Sequence, residues 1–263
     1  MSQTRKIAVT KPTKLGGSRL AWTGASLAVL VGIWALAAGL AQSRYGPGPL
    51  DVFAVMAHEA STGALWLHLF ATLARVVITF VVAMLIGSAI GLALGRHKTA
   101  DKFFDAWLIL ALNLPVLVII ALCYVWVGPY EPTAILATAI NKIPNVAVQI
   151  REGARSLSRD LDEMAQVYRF GWWRTFRHVT VPQLAPFFAA AARSGLALVW
   201  KIVLVVEALG GHSIGVGQQI NTAFQSFDVP MILAYALSFI IVIQFVEIGL
   251  LQPMQARLNR WKR

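Results

Sequence analysis

Long, uninterrupted apolar blocks limit what this chain can fold into. Residues 22–40, 76–95 and 106–127 contain no charged side chain. Each block is close to the ~20 residues a helix needs to cross the hydrocarbon of a bilayer. Three more blocks of span length, 133–149, 183–206 and 230–251, hold only Lys142, Arg193, Lys201 and Glu247. A water-soluble domain has no core large enough to hide six such blocks. Composition agrees: 57% of residues are apolar and 13% charged, against about 25% charged in a soluble domain. The chain reads as an all-α polytopic membrane protein. One transmembrane domain of six helices covers 22–251, with tails at 1–21 and 252–263 and an inner loop at 150–182.

The basic residues orient these blocks. With the N-terminus inside, segments 1–21, 96–105, 150–182 and 252–263 carry 18 of the 23 lysines and arginines. Segments 41–75, 128–132 and 207–229 then face outward with Arg44 and Arg75 alone. That asymmetry follows the positive-inside rule and predicts that both termini are cytoplasmic. The first block follows a basic tail as a secretory signal would, but its length of 19 residues exceeds the roughly 7–15 of a signal h-region. It is read as an uncleaved span. The net charge of +11 lies between apolar blocks rather than along one soluble face, which excludes a nucleic-acid partner. Cys123 is the only cysteine, so no internal disulfide forms, and neither zinc-ligand nor P-loop spacing is present. The chain is expected to hold no metal or cofactor and not to hydrolyse ATP itself.

Two readings stand for the outer stretch 41–75. After the turn-rich Tyr45-Gly-Pro-Gly-Pro49, it forms either a helix lying along the interface or the start of a longer, tilted second span. The inner loop is more legible. Asp160 before Leu161-Asp162-Glu163 resembles a capping box, which predicts a short helix over 161–169. Gly171 suits a left-handed stop. A second short helix over 172–180 is expected to end before Pro182, which opens the fifth span. Trp172 and Trp173 anchor the pair at the membrane face.

This loop carries a resemblance. Permeases of binding-protein-dependent ABC importers have a cytoplasmic signature, E-A-A-x3-G-x9-I-x-L-P. Here Glu163, Met164 and Ala165 occupy its first places, and Val179, Val181 and Pro182 fall in register at its end. The signature glycine is replaced by Arg169, with Gly171 two residues later. Further stretches resemble the nitrate/sulfonate/taurine/bicarbonate-type permeases. They are Pro49-x-x-Val52, His68-x3-Thr72-x2-Arg75-Val76, Gly87-x3-Gly91-x3-Gly95, Trp126-x-Gly128, Trp200-x6-Glu207, Gly215-Val-Gly217 and Arg257-Leu-Asn-Arg260-Trp261. The resemblance implies a type I ABC importer permease fold in the bacterial inner membrane. It also implies a second permease copy, two ABC ATPase subunits that bind the ATP and magnesium, and a periplasmic solute-binding protein. Asp160, Glu163, Met164, Ala165, Tyr168, Arg169, Gly171 and Pro182 would then couple to the ATPase. Glu207, Gly215 and Gly217, with His212 nearby, would belong to an outer gate.

The substrate path is sought where polarity interrupts the spans. An unpaired charge near the bilayer centre costs about 2.5–3.5 kcal/mol on insertion scales, so Lys142, Arg193 and Lys201 need a partner or an aqueous path. Residues 193, 197 and 201 share one helix face. Glu207 and Glu247 are the candidate partners, and two acids do not neutralise three bases. Two readings remain: cations facing a path for an anionic solute, or helix pairing and snorkelling. Asn113 and Pro115, and Asn141 and Pro144, interrupt the third and fourth spans and are further path candidates. The row Gly87, Gly91 and Gly95 is read first as a helix-packing face. Two other classes compete, a membrane-embedded enzyme and an ion-coupled carrier. Scattered histidines weigh against the first, and the lack of an inverted repeat against the second.

Overall fold

The computed structural model describes residues 16–41, 43, 45–211 and 214–251. Their regular structure is helical, in the order α1 (Gly16–Ala41), α2 (Pro49–Thr62), α3 (Ala64–Arg96), α4 (Lys98–Asn113), α5 (Val116–Val127), α6 (Glu131–Arg155), α7 (Arg159–Val167), α8 (Trp172–Thr175), α9 (Val181–Leu209), α10 (Val216–Gln225) and α11 (Val229–Val246). Five-residue π-helical stretches join α8 to α9 at Phe176–Thr180 and extend α11 over Glu247–Leu251.

Among the described residues four helical stretches are long and apolar enough to cross a membrane: Ala21–Ala41, Ala64–Arg96, Trp172–Leu209 and Val229–Gly249. The bent pair α4 and α5 makes a fifth when taken as one broken span. The expected block 106–127 is therefore not a straight helix. It folds back by 93° between Asn113 and Val116, because Pro115 has no N–H to continue the helix and holds Leu114 extended. The expected fourth span lies in α6, which runs from Glu131 to Arg155 and is too polar to qualify by composition.

The second span starts twelve residues earlier than its apolar block, at Ala64 rather than 76. Residues 41–75 thus combine the two readings. α2 is a separate helix, opened by Pro49 with Asp51 accepting from the Gly48 N–H at 3.0 Å. It stops at Gly63, whose φ of 85° is left-handed and favours glycine. Beyond it α3 runs unbroken.

The α3–α6 seam is the centre of the molecule. A Cβ at Gly87 would stand 2.7 Å from Val146 Cβ, and Cβ atoms at Gly91 and Gly95 would strike the Ala147 carbonyl and the Ala154 side chain. The glycine row is therefore a packing face, along which two backbones meet closely. α9 packs against both helices. Leu69, Val76, Val199, Val203, Tyr235 and Phe239 form the largest buried apolar cluster, which ties α3 and α9 to α11. The outer surface is apolar, with Phe70, Leu85, Leu110, Val125 and Phe245 all exposed, as lipid requires. α1 stands off from the bundle, and its Trp34 indole N–H donates to the Pro47 carbonyl at 3.0 Å.

Candidate functional site

The segment 156–182 forms a bent element at one end of the bundle, called here the loop end. α7, at Arg159–Val167, starts and ends two residues before the sequence suggested. Its N-cap is Ser158, so Asp160 lies in the first turn rather than at the cap. The Ser158 N–H donates to Gln183 Oε1 at 3.0 Å, which ties the start of α7 to α9. Ala165 is the buried residue of α7. Leu161, Glu163, Met164, Val167 and Tyr168 are all exposed. Residues 161, 164 and 168 share a helix face, so an apolar strip points away from the molecule.

The stop of α7 corrects the sequence reading. Gly171 is extended, with φ −65° and ψ 160°. Arg169 takes the left-handed conformation, at φ 51°. Its N–H donates to the Gln166 carbonyl at 2.9 Å, and the Phe170 N–H to the Ala165 carbonyl at 2.8 Å. These are the two bonds of a Schellman stop. The signature glycine position is thus the one whose backbone favours glycine, and an arginine holds it here. The second short helix is also corrected: it does not end before Pro182. α8, the π-helical stretch and α9 form one helix, Trp172–Leu209, with Pro182 in its interior. The exposed Trp172 and Trp173 stack on Phe176, with ring centroids 5.8 and 6.0 Å away. Arg174 covers the Phe170 ring at 4.5 Å.

An ion network holds this end together. Arg151, buried in α6, pairs with Asp105 at 2.6 Å and Asp101 at 3.3 Å on α4. Arg155 pairs with Asp101 and with Glu152. The hydrogen bond that Arg155 donates to Asp101 holds its guanidinium above its ordinary pKa.

At the opposite end the outer-gate candidates converge on a buried cluster. The Glu207 carboxylate is fully buried. It accepts from Thr72 Oγ1 at 2.9 Å, from the Gly217 N–H at 2.9 Å and from Arg75 Nη1 at 2.5 Å. Arg75 also donates to Glu131 at 2.5 and 2.8 Å and to the Ile214 carbonyl at 2.9 Å. The Gly215 and Val216 N–H groups donate to His68 Nδ1 and Thr72 Oγ1. Residues 68, 72 and 75 lie on one face of α3 and stitch down the loop between α9 and α10. A Cβ on Gly215 would lie 2.7 Å from the Glu207 carboxylate, and Gly215 has φ 153°; a Cβ on Gly217 would strike the Leu204 carbonyl. Sequence reading placed Arg75 in an outer loop, whereas it is a buried residue of α3. The spacing His68-x3-Thr72-x2-Arg75 was the available signal. His212 lies outside the described residues, as do Arg44 and Arg257–Trp261.

The intramembrane cations separate. Lys142 is buried, and its Nζ has no hydrogen-bond partner. Arg193 and Lys201 are exposed on α9, and Lys201 lies 5.4 Å from the Trp200 ring. None of the three pairs with a carboxylate among the described residues, and Glu207 is committed to Arg75. Asn141 is half-buried and begins a row with Asn145 and Gln149 on one face of α6, which sequence reading missed. Gln149 Nε2 donates to Ser194 Oγ on α9 at 2.9 Å. Asn113 is exposed and caps the α4 break by donating to the Ile109 carbonyl at 2.7 Å.

Comparison with known proteins agrees with this architecture. The family described as binding-protein-dependent transport system inner membrane component matches residues 83–251. The riboflavin transport system permease protein of Chloroflexus aurantiacus is 28% identical over 272 residues, covering 100% of this chain and 99% of its own. The taurine transport system permease protein of Escherichia coli (strain K12) is 26% identical over 243 residues, covering 90% and 88%. Among solved structures, the inward-facing MetNI methionine ABC transporter matches with a TM-score of 0.62 at 16% identity, over 75% of this chain and 98% of that one; this likeness is of fold. The chain therefore belongs to the binding-protein-dependent ABC importer permeases, in the subfamily that contains sulfonate, taurine and bicarbonate permeases.

Proposed function

We propose that this permease passes a small, anionic solute from a periplasmic binding protein to the cytoplasm by alternating access, driven by two ABC ATPase subunits at its loop end. One observation carries the reading: α7 presents Leu161, Met164 and Tyr168 to solvent on a single face. An exposed apolar strip on a helix outside the apolar spans is a docking surface. In this reading the loop end and both termini lie in the bacterial cytoplasm. ATP and magnesium belong to the ATPase subunits. A second, identical permease copy completes the path. Asp160, Glu163, Met164, Ala165, Tyr168, Arg169, Gly171 and Pro182 form or position the coupling element.

The path follows the polar face of α6 and α9, through Asn141 and the unpaired cations Arg193 and Lys201. Lys142 is closed off behind them, and Asn113 marks the broken span. Exposed cations without carboxylate partners favour an anion. Glu207, Gly215 and Gly217 hold the outer loop shut.

Two experiments test this. The Leu161→Asp/Met164→Asp double variant is expected to insert normally and to lose co-purification with a soluble ATPase; undiminished co-purification refutes the docking role. Arg193→Glu with Lys201→Glu is expected to abolish ATP-dependent uptake of the solute held by the cognate binding protein, while the complex still assembles. Uptake at the wild-type rate refutes the anionic path and leaves the docking role standing.

A further inference from the structure

At the loop end α3 passes into α4 through a single residue, His97. The ends of α3 and α6 and the starts of α4 and α7 enclose a cavity of about 560 Å³ there. Its lining includes four cations, Arg96, Lys98, Arg155 and Arg159, and two acids, Asp101 and Asp162. Asp101 is already engaged by Arg151 and Arg155. Among the described residues Arg96 donates only to the neutral Thr180 hydroxyl, at 2.7 Å. Lys98 and Arg159 pair with no carboxylate among the described residues. Three cations in no ion pair thus converge on one concave space with a single uncommitted carboxylate, Asp162, and the net positive charge suits a phosphate group.

A second feature adjoins it. An apolar groove of about 480 Å³ lies between α3 and α4, lined by Ile90, Ala93 and Leu94 on one side and Phe104, Trp107 and Leu108 on the other. Where the groove ends along α3, the cavity begins at Gly95 and Arg96; along α4 the cavity has Lys98 and Asp101, and the groove continues from Phe104. Phe103, Phe104 and Trp107 form an exposed ring cluster beside the junction, the kind of aromatic group found at headgroup depth. Free phosphate or an acidic protein surface would use the cavity and leave the groove empty. A lipid uses both.

We propose that the α3–α4 junction binds an anionic glycerophospholipid. Its phosphate is held by Arg96, Lys98 and Arg159, and an acyl chain lies in the groove. Basic pockets between helices at a membrane face recognise lipid headgroups in this way. Because Arg159 opens α7, the bound lipid fixes the position of the docking helix. The inference is independent of the solute transported.

The test is native mass spectrometry of the full-length chain in mild detergent, with phosphatidylglycerol or phosphatidylcholine of matched acyl chains. Phosphatidylglycerol is expected to be retained preferentially. Arg96→Gln/Lys98→Gln/Arg159→Gln is expected to lose retention by about fivefold for each cation removed, and Arg96→Lys/Arg159→Lys to keep it. Ala111 of α4 also lines the groove, and Ala111→Trp, which fills it, is expected to weaken lipid retention while the basic cavity stays intact. If the triple variant does not fold, the lipid preference of the wild-type chain and the Ala111→Trp variant decide. Equal retention of the two lipids overturns the proposal, as does full retention by a folded triple variant. Displacement by inorganic phosphate with no effect of Ala111→Trp assigns the site to free phosphate. An acidic soluble protein lost from the triple variant, with lipid unchanged, assigns it to a protein surface.

Discussion

Arg169 places an L-amino acid with a long side chain where the backbone turns left-handed, at φ 51°. That conformation costs a non-glycine residue roughly 1–2 kcal/mol. Arg169→Gly is expected to keep the stop of α7 and ATP-dependent uptake, whereas a β-branched Arg169→Val disrupts both. Gly171→Ala is expected to be silent, within about 0.5 kcal/mol, because Gly171 is extended and a Cβ meets nothing within 4 Å. Uptake assays and thermal unfolding of the three variants check this. The register of the signature was legible from Glu163 and Pro182, but which residue makes the stop was not. Two candidates two residues apart, Arg169 and Gly171, differ only in the hydrogen bonds their backbones complete, and glycine composition points to the wrong one. At the other end, Glu207→Ala leaves the buried Arg75 with half its carboxylates. Loss of one member of a buried pair costs about 3–5 kcal/mol. Thermal unfolding in detergent is expected to show a lowered midpoint for Glu207→Ala. Arg75→Leu/Glu207→Leu is expected to lose less than the sum of its single variants.

Between elements, the seam of α3 and α6 governs stability. A Cβ at Gly91 meets the Ala147 carbonyl, Ile150 Cβ at 2.9 Å and the Arg151 nitrogen at 3.0 Å. Two of these are backbone atoms, which cannot swing aside. Gly91→Ala is expected to destabilise the chain by about 1–3 kcal/mol. Gly24→Ala in α1, with nothing within 4 Å, is expected to be neutral or slightly stabilising. A fluorescence-detected thermal shift of the two variants checks the contrast. The small-residue spacing of this row was visible in the sequence because it repeats on one helix face. Two other features were hidden. α3 begins at Ala64, and His68 and Arg75, polar residues before the apolar block, masked its first turns by appearing to belong to a loop. Their partners, Gly215 and Glu207, lie more than 130 residues away, beyond any local pattern. The break at Pro115 was marked by the proline, but its 93° angle depends on packing that local sequence does not encode.

Across the whole molecule, apolar length fixes which stretches meet lipid, and it does so unevenly. α3, α9 and α11 declare themselves by composition. α6 does not, because it is enclosed by its neighbours and carries Asn141, Lys142, Asn145 and Gln149 through the centre of the bundle. The helix Trp172–Leu209 joins the two ends. Its 38 residues span about 57 Å at 1.5 Å each. It begins at the exposed tryptophans beside α7 and reaches Glu207 in its last turn. In the proposed coupling, a push on the tryptophan end would travel along this helix to the carboxylate that pins the distant loop. The widened turn at Phe176–Thr180 is a slack joint in it, so stiffening those five residues should change how much of an applied stroke arrives at the far end.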